Sequence, residues 1–334
     1  MTMQAADFLR PLPWLELPWQ TLMEAIDQDR VAHALLIRGV AGIGKTRLAK
    51  DYARRLLCQK PQAGKACGQC TSCHLFDAGT HPDFLMLAPE EAGKAIKVDA
   101  IRQMTQEIAL TPQYAGYRVV IIDQADALNG NAANALLKSL EEPPNGTVIV
   151  LVTDRPQQLP ATVRSRCRNL SIGPIHSDMA LQWLNQQGFV EDAPALLSTA
   201  AGSPLRAASL EGSEAVKKRI ERFDELMAVF FGARDPLDVA EIWSTKLVDM
   251  ELLWMASWLA DGARLGLTEG RVPARNIDLD AQLRRLAARI PVSFLMETYD
   301  RILKCQEALR GPANRQLVFE EFLIRWAEGG ARPQ

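Results

Sequence analysis

Gly39-Val40-Ala41-Gly42-Ile43-Gly44-Lys45-Thr46 spells G-x-x-x-x-G-K-T, and no other part of the chain constrains the fold as much. Such a loop works only between a buried strand and the start of a helix. Its glycines let backbone N–H groups curl around phosphate oxygens, and the helix aims its positive end at the same oxygens. The flanks meet that condition. Ala34-Leu35-Leu36-Ile37 reads as a short buried strand, and Lys45 to about Leu57 reads as a helix. Apolar, β-branched runs predict further strands over Val119–Ile122 and Thr147–Thr153. Helical patterns cover Asp99 to Ala109 and Ala132 to Glu142, the latter stopped by Pro143-Pro144. Strands alternating with helices imply a parallel sheet covered on both faces.

After Gly173-Pro174 the pattern becomes helical only. A small helical segment spans Asp178 to Leu210, punctuated by Gly188, Pro194 and Gly202-Ser203-Pro204. A second block begins near Ser213, where Val216, Ile220, Phe223, Met227 and Phe230 recur at three- and four-residue spacing and predict one buried face. Trp243, Trp254 and Trp258 fall in the helices that follow, and Val318 to Trp326 closes the chain. Three domains are expected: 1–173 α/β, 174–212 small and helical, 213–334 larger and helical. A net charge of −2 gives no electrostatic case for nucleic-acid binding by the chain as a whole. No apolar run approaches the ~20 residues needed to cross a bilayer. Met1 to Leu17 lacks the basic start and apolar stretch of a signal peptide. A cytoplasmic protein with no membrane contact is the expectation.

The loop specifies roles for its neighbours. Gly39, Gly42 and Gly44 shape the phosphate cradle, Lys45 reaches the β/γ oxygens and Thr46 offers its hydroxyl to Mg²⁺. Asp123, ending the strand Val119–Ile122, is the expected acidic partner of that ion. Gln124 follows, where a glutamate would polarise the attacking water. A neutral amide hydrogen-bonds water but takes no proton from it at pH 7. Asp126 is the alternative base, on the same side of an extended chain but further from the phosphates. The expectation is a site competent for ATP and Mg²⁺ with slow or absent turnover.

Four of the six cysteines, Cys58, Cys67, Cys70 and Cys73, are crowded together. In a cytosolic context that crowding indicates metal rather than disulfides. Two C-x2-C steps share Cys70, and four thiolates complete a tetrahedral zinc shell with no position left for water. A structural zinc knuckle follows, with an iron–sulfur cluster as the alternative. His74 reads as a surface residue.

Several strings carry a resemblance. The cysteine knuckle after the phosphate-loop helix is followed by Thr80-His81-Pro82-Asp83. Ala135 to Pro144 reads A-L-L-K-S-L-E-E-P-P, Ser165-Arg166-Cys167 reads S-R-C, and Asn314-Arg315-Gln316-Leu317 resembles the start of a last collar helix. Together they resemble the subunits of the bacterial DNA polymerase III clamp loader, a branch of the AAA+ ATPases, over nearly the whole chain. The resemblance implies an AAA+ nucleotide-binding domain, a small helical lid and a C-terminal helical collar for oligomerisation. It implies that Arg166 is an arginine finger reaching a neighbouring subunit's γ-phosphate, and that Thr153 lies at or beside the polar sensor of the γ-phosphate. Motor subunits of the family carry Asp-Glu where this chain has Asp123-Gln124. They also carry an arginine where Leu205 stands here, with Arg206 one residue on. Both departures weaken hydrolysis and spare Arg166. A non-motor, stationary subunit is therefore expected, in a hetero-pentamer with gamma/tau and delta subunits. The complex would bring it to the sliding clamp and primer-template DNA. The alternative is an active ATPase of the gamma/tau type. Polymerase chemistry is not expected of this chain.

Overall fold

Five short strands form one parallel sheet in the order β2 (Phe84–Leu87), β3 (Arg118–Ile122), β4 (Thr147–Thr153), β1 (Ala34–Arg38), β5 (Arg168–Ser171). The computed structural model describes residues 12–91, 93–114, 116–246, 249–309 and 311–331. The first eleven residues of the stretch tested above for a leader lie outside them. The chain divides into two compact units, Met1–Ile175 and His176–Gln334.

In the first unit α1 (Glu16–Asp27) precedes β1 (Ala34–Arg38), the phosphate-binding sequence and α2 (Lys45–Leu57). Then come α3 (Thr71–Asp77), β2 (Phe84–Leu87), α4 (Val98–Ile108), β3 (Arg118–Ile122), α5 (Gly130–Glu141), β4 (Thr147–Thr153), α6 (Ala161–Arg164) and β5 (Arg168–Ser171). Every residue of β3 and β4 is buried. Successive side chains of a strand face opposite sides, so each strand needs cover on both. Leu36, Val120, Ile122, Ile149 and Leu151 pack with Ile101 and Met104 of α4 and Leu136 and Leu140 of α5. The helix α2 lies against β1, β3 and β4 from the other face, with Leu48, Ala49, Tyr52 and Leu56 buried. The expected α/β class holds. The strands β2 and β5, not anticipated, form the two edges. Only Leu170 of β5 is buried, so it carries no apolar run to announce it.

Register places the functional ends. Arg38 pairs with Thr153 and Ile122 with Leu151. With all strands parallel, the residues leaving β1, β3 and β4 (Gly39, Asp123 and Asp154) emerge at one edge of the sheet, where α/β folds bind ligands.

The second unit is helical, as expected: α7 (Ser177–Gln186), α8 (Ala193–Thr199), α9 (Pro204–Ser209), α10 (Ala215–Phe230), α11 (Pro236–Lys246), α12 (Asp249–Leu267), α13 (Asp280–Arg289), α14 (Val292–Ala308) and α15 (Arg315–Ala331). Trp243, Trp258 and Trp326 are among its largest buried side chains, and the Trp326 indole N–H donates to the Leu226 carbonyl at 2.7 Å. The expected buried face of α10 needs correction. Ile220 is 42% exposed, while Arg219 and Arg222 are buried at 0% and 6% beside Phe223, Leu226 and Phe230. Both arginines are paired. Arg219 meets Asp278 and donates to Asn276 Oδ1 at 2.5 Å, with its guanidinium over the Trp258 ring. Arg222 meets Glu251 and Glu225. Burial pulls the Arg219 pKa below its ordinary value, against the opposing pull of Asp278 and Asp261. Breaking such a buried pair by deleting one partner costs ~3–5 kcal/mol. Arg219→Ala should therefore lower the unfolding free energy of the helical unit by that order, seen as a lower denaturant midpoint in tryptophan fluorescence. An unchanged midpoint would remove the pairing argument.

Candidate functional site

The loop between β1 and α2 has the backbone its sequence demands. Gly44, which caps α2, has φ +90° and Gly42 has φ +75°, in the left-handed region that side chains rarely adopt. Gly39 is required for a different reason: a Cβ there would sit 2.6 Å from the Ile172 carbonyl oxygen. From below, the Trp14 indole N–H donates to the Ile43 carbonyl at 2.7 Å, and Ile43 is fully buried.

Lys45 is buried, with its ammonium donating to the Val40 carbonyl at 2.5 Å and paired with Asp154 at 2.5 Å. Asp154 was not singled out in the sequence. The signal available was an acid one residue beyond β4, next to the strand that carries the loop. The Thr46 hydroxyl donates to Asp123 Oδ1 at 2.8 Å, and the Gln124 N–H donates to the same oxygen at 3.1 Å. Two hard oxygens, one from the first turn of α2 and one just beyond β3, thus stand together, a donor set suited to a hard divalent cation. Gln124 has φ +50° and is exposed. The buried Thr153 hydroxyl donates to Asp126 Oδ1 at 2.6 Å and accepts from the Arg155 N–H at 3.0 Å. The two polar candidates around the γ-phosphate position, Thr153 and Asp126, are therefore bonded to each other.

The cysteine cluster closes as the spacing predicts. The sulfurs of Cys58, Cys67, Cys70 and Cys73 all lie within 4.8 Å of one another. Cys58 to Cys67 is 3.6 Å, and Cys58–Cys70 and Cys67–Cys73 are each 4.0 Å. A tetrahedron of sulfurs bonded at ~2.3 Å has edges of about 3.8 Å, close to these three separations, so the four thiols could hold a metal ion. Backbone N–H groups already point at the sulfurs, Cys67 N at Cys58 Sγ (3.3 Å), Cys73 N at Cys70 Sγ (3.4 Å) and Gln69 N at Cys67 Sγ (3.5 Å). Such donors stabilise thiolate. His74 is exposed, as expected. The cluster is tied to the sheet by contacts the sequence did not reveal. The buried Ser72 hydroxyl donates to the Leu57 carbonyl at 2.5 Å and lies 2.8 Å from His81 Nε2. His81 Nδ1 in turn accepts from the Asp83 N–H at 3.0 Å, and Asp83 pairs with buried Arg118.

Arg166 stands between α6 and β5. Arg168, the first residue of β5, pairs with Leu35, whereas the phosphate-binding loop begins after Arg38. Three residue steps at ~3.3 Å each separate the two levels by about 10 Å along the strands. Arg166 thus lies toward the edge of the sheet opposite its own loop. Its Nε donates to Glu141 Oε1 at 2.6 Å, its NH2 group meets the same oxygen, and its NH1 group donates to the Thr162 carbonyl at 2.9 Å. Leu205 and Arg206 fall in the second unit, where Arg206 contacts the Met250 sulfur at 3.9 Å. No described helix is long and apolar enough to cross a membrane.

Residues 15–176 match the family model described as DNA polymerase III, delta subunit, and residues 213–328 match its C-terminal counterpart. The DNA polymerase III subunit delta' of Pseudomonas aeruginosa is 34% identical over 322 residues, spanning 94% of this chain and 97% of that protein. The delta' subunit of Escherichia coli is 34% identical over 321 residues, 95% of each chain. The tau subunit of Bacillus subtilis is 26% identical, covering 92% of this chain but 59% of that protein.

Proposed function

Because this chain belongs to the family of DNA polymerase III delta' subunits, we propose that it works as the non-motor subunit of a clamp loader, lending Arg166 to a neighbouring ATPase. The placement of Arg166 carries this reading. A guanidinium at the far edge of the sheet from its own phosphate loop is poorly sited to serve that loop and is available to another subunit. It is planar and permanently charged, suited to stabilising charge on a transferring phosphoryl group. The near full-length match to delta' proteins, against a partial one to tau, favours this reading over the motor alternative.

In this account Gly39, Gly42, Gly44 and Lys45 cradle ATP, Thr46 and Asp123 hold Mg²⁺, and Thr153 acts at the γ-phosphate end. When bound, Mg²⁺ neutralises phosphate charge. Gln124 gives the pocket no general base, so bound nucleotide is retained rather than consumed. Cys58, Cys67, Cys70 and Cys73 hold a structural zinc. Residues 174–212 act as the lid and 213–334 as the collar that joins gamma/tau and delta subunits. The complex delivers the chain to the sliding clamp and primed DNA.

The test is ATP turnover by the purified chain, wild type and Gln124→Glu. Both should stay at background, because the variant regains a carboxylate but still lacks a finger from a partner. Sustained turnover by the wild-type chain alone would contradict the proposal.

A further inference from the structure

Glu141 belongs to the Leu-Glu-Glu-Pro-Pro string, which the proposed function leaves without a task. It is the last residue of α5, mounted on a helix whose Ala132, Ala133, Leu136 and Leu140 are buried in the core. One oxygen of its carboxylate accepts from two neighbouring donors along one edge of the Arg166 guanidinium, and the Thr162 carbonyl accepts from a third. We propose that Glu141 is a positioning residue for Arg166, aiming its guanidinium out of the subunit toward a partner-bound phosphate. This rests on the reading of Arg166 as a finger.

A guanidinium carries five N–H donors in one plane. Three are engaged by Glu141 and Thr162, so two remain for an incoming oxyanion. The engaged donors fix the plane and direction of the remaining pair. Arginine otherwise spends much rotamer freedom on reaching a defined position, and orientation set in advance reduces that loss on docking. The side chains are 35% and 48% exposed, and an ion pair at such exposure adds little to folding stability. Orientation is therefore the larger effect. The carboxylate reduces the local positive field, yet arginine stays protonated and solvent screens the pair, so a phosphate still attracts the two outward donors. Glu142, the next residue, makes no bond to Arg166 among the described contacts and serves as the internal control.

The experiment uses the complex assembled with its motor subunits, carrying Glu141→Ala, Glu141→Gln, Glu142→Gln, Arg166→Ala or the Glu141→Ala/Arg166→Ala pair. Glu141→Ala should slow hydrolysis at the site Arg166 serves by about 10-fold, within the ~10²-fold that a small misplacement can cost; whole-complex kcat should fall by no more than it does with Arg166→Ala, with KM nearly unchanged. Glu141→Gln, which keeps an acceptor oxygen, should recover part of the loss, and Glu142→Gln should match wild type. In the Arg166→Ala background Glu141→Ala should add nothing, because the coupled pair acts through one group. A wild-type or raised kcat for Glu141→Ala, or losses that multiply in the double variant, would overturn the proposal while leaving the finger intact. An Arg166→Ala complex with wild-type kcat would instead overturn the finger reading, and this proposal with it. Thermal unfolding should not separate Glu141→Gln from wild type, so that variant decides if Glu141→Ala proves unstable.

Discussion

Arg166→Ala in the assembled clamp loader should cut turnover at the site it serves by ~10³-fold or more, the scale measured when an arginine finger is removed. The loss in whole-complex steady-state rate should be several-fold, because other sites keep their own fingers. The variant subunit should fold normally. The described partners of the Arg166 side chain are the exposed Glu141 carboxylate and the Thr162 carbonyl, and an exposed pair contributes ~0.2–1 kcal/mol. Normal rates with a fully assembled variant complex would dismiss the finger.

Stripping the metal should have the largest structural effect. Metal analysis is expected to return one zinc per chain, and chelation or Cys70→Ser should unravel residues 58–73. The free energy of structural zinc binding is ~10–16 kcal/mol at neutral pH. The segment has little regular structure of its own: α3 has seven residues, well short of the ~12–15 an isolated helix needs. The contacts that remain anchor α3 rather than the cysteine loop, chiefly the Ser72 link to Leu57 and His81, the Phe76–Phe84 ring contact and the Arg54–Asp77 ion pair at 2.7 Å. Limited proteolysis should then cut between Cys58 and Cys73 while the sheet stays resistant, and the four thiols should become titratable. Iron in place of zinc, or a native metal-free protein with four reactive thiols, would refute the knuckle.

Much of this was visible in the sequence wherever neighbouring residues carried the signal. The phosphate loop is eight consecutive residues that demand a strand before and a helix after, and α2 runs Lys45–Leu57 as expected. The central strands were legible because burial on both faces leaves an uninterrupted apolar run, as in Thr147–Thr153. Edge strands escape that logic: β5 reads Arg-Asn-Leu-Ser. Helical periodicity failed on α10 because it treats arginine as outward-facing, and Arg219 and Arg222 are buried by acids on other elements. The same limit hid the pairs that define the site. Lys45 meets Asp154, and Arg166 meets Glu141, across long stretches of chain that only the parallel sheet brings together.

The most direct test compares two substitutions of this subunit alone, Lys45→Ala and Arg166→Ala, by single-turnover ATP hydrolysis in the assembled complex. A subunit that serves its neighbour while its own pocket stays idle predicts near-normal hydrolysis with Lys45→Ala and, with Arg166→Ala, loss of the fast phase from the one site it serves. Loss of most hydrolysis with Lys45→Ala, with Arg166→Ala left unaffected, would contradict that account.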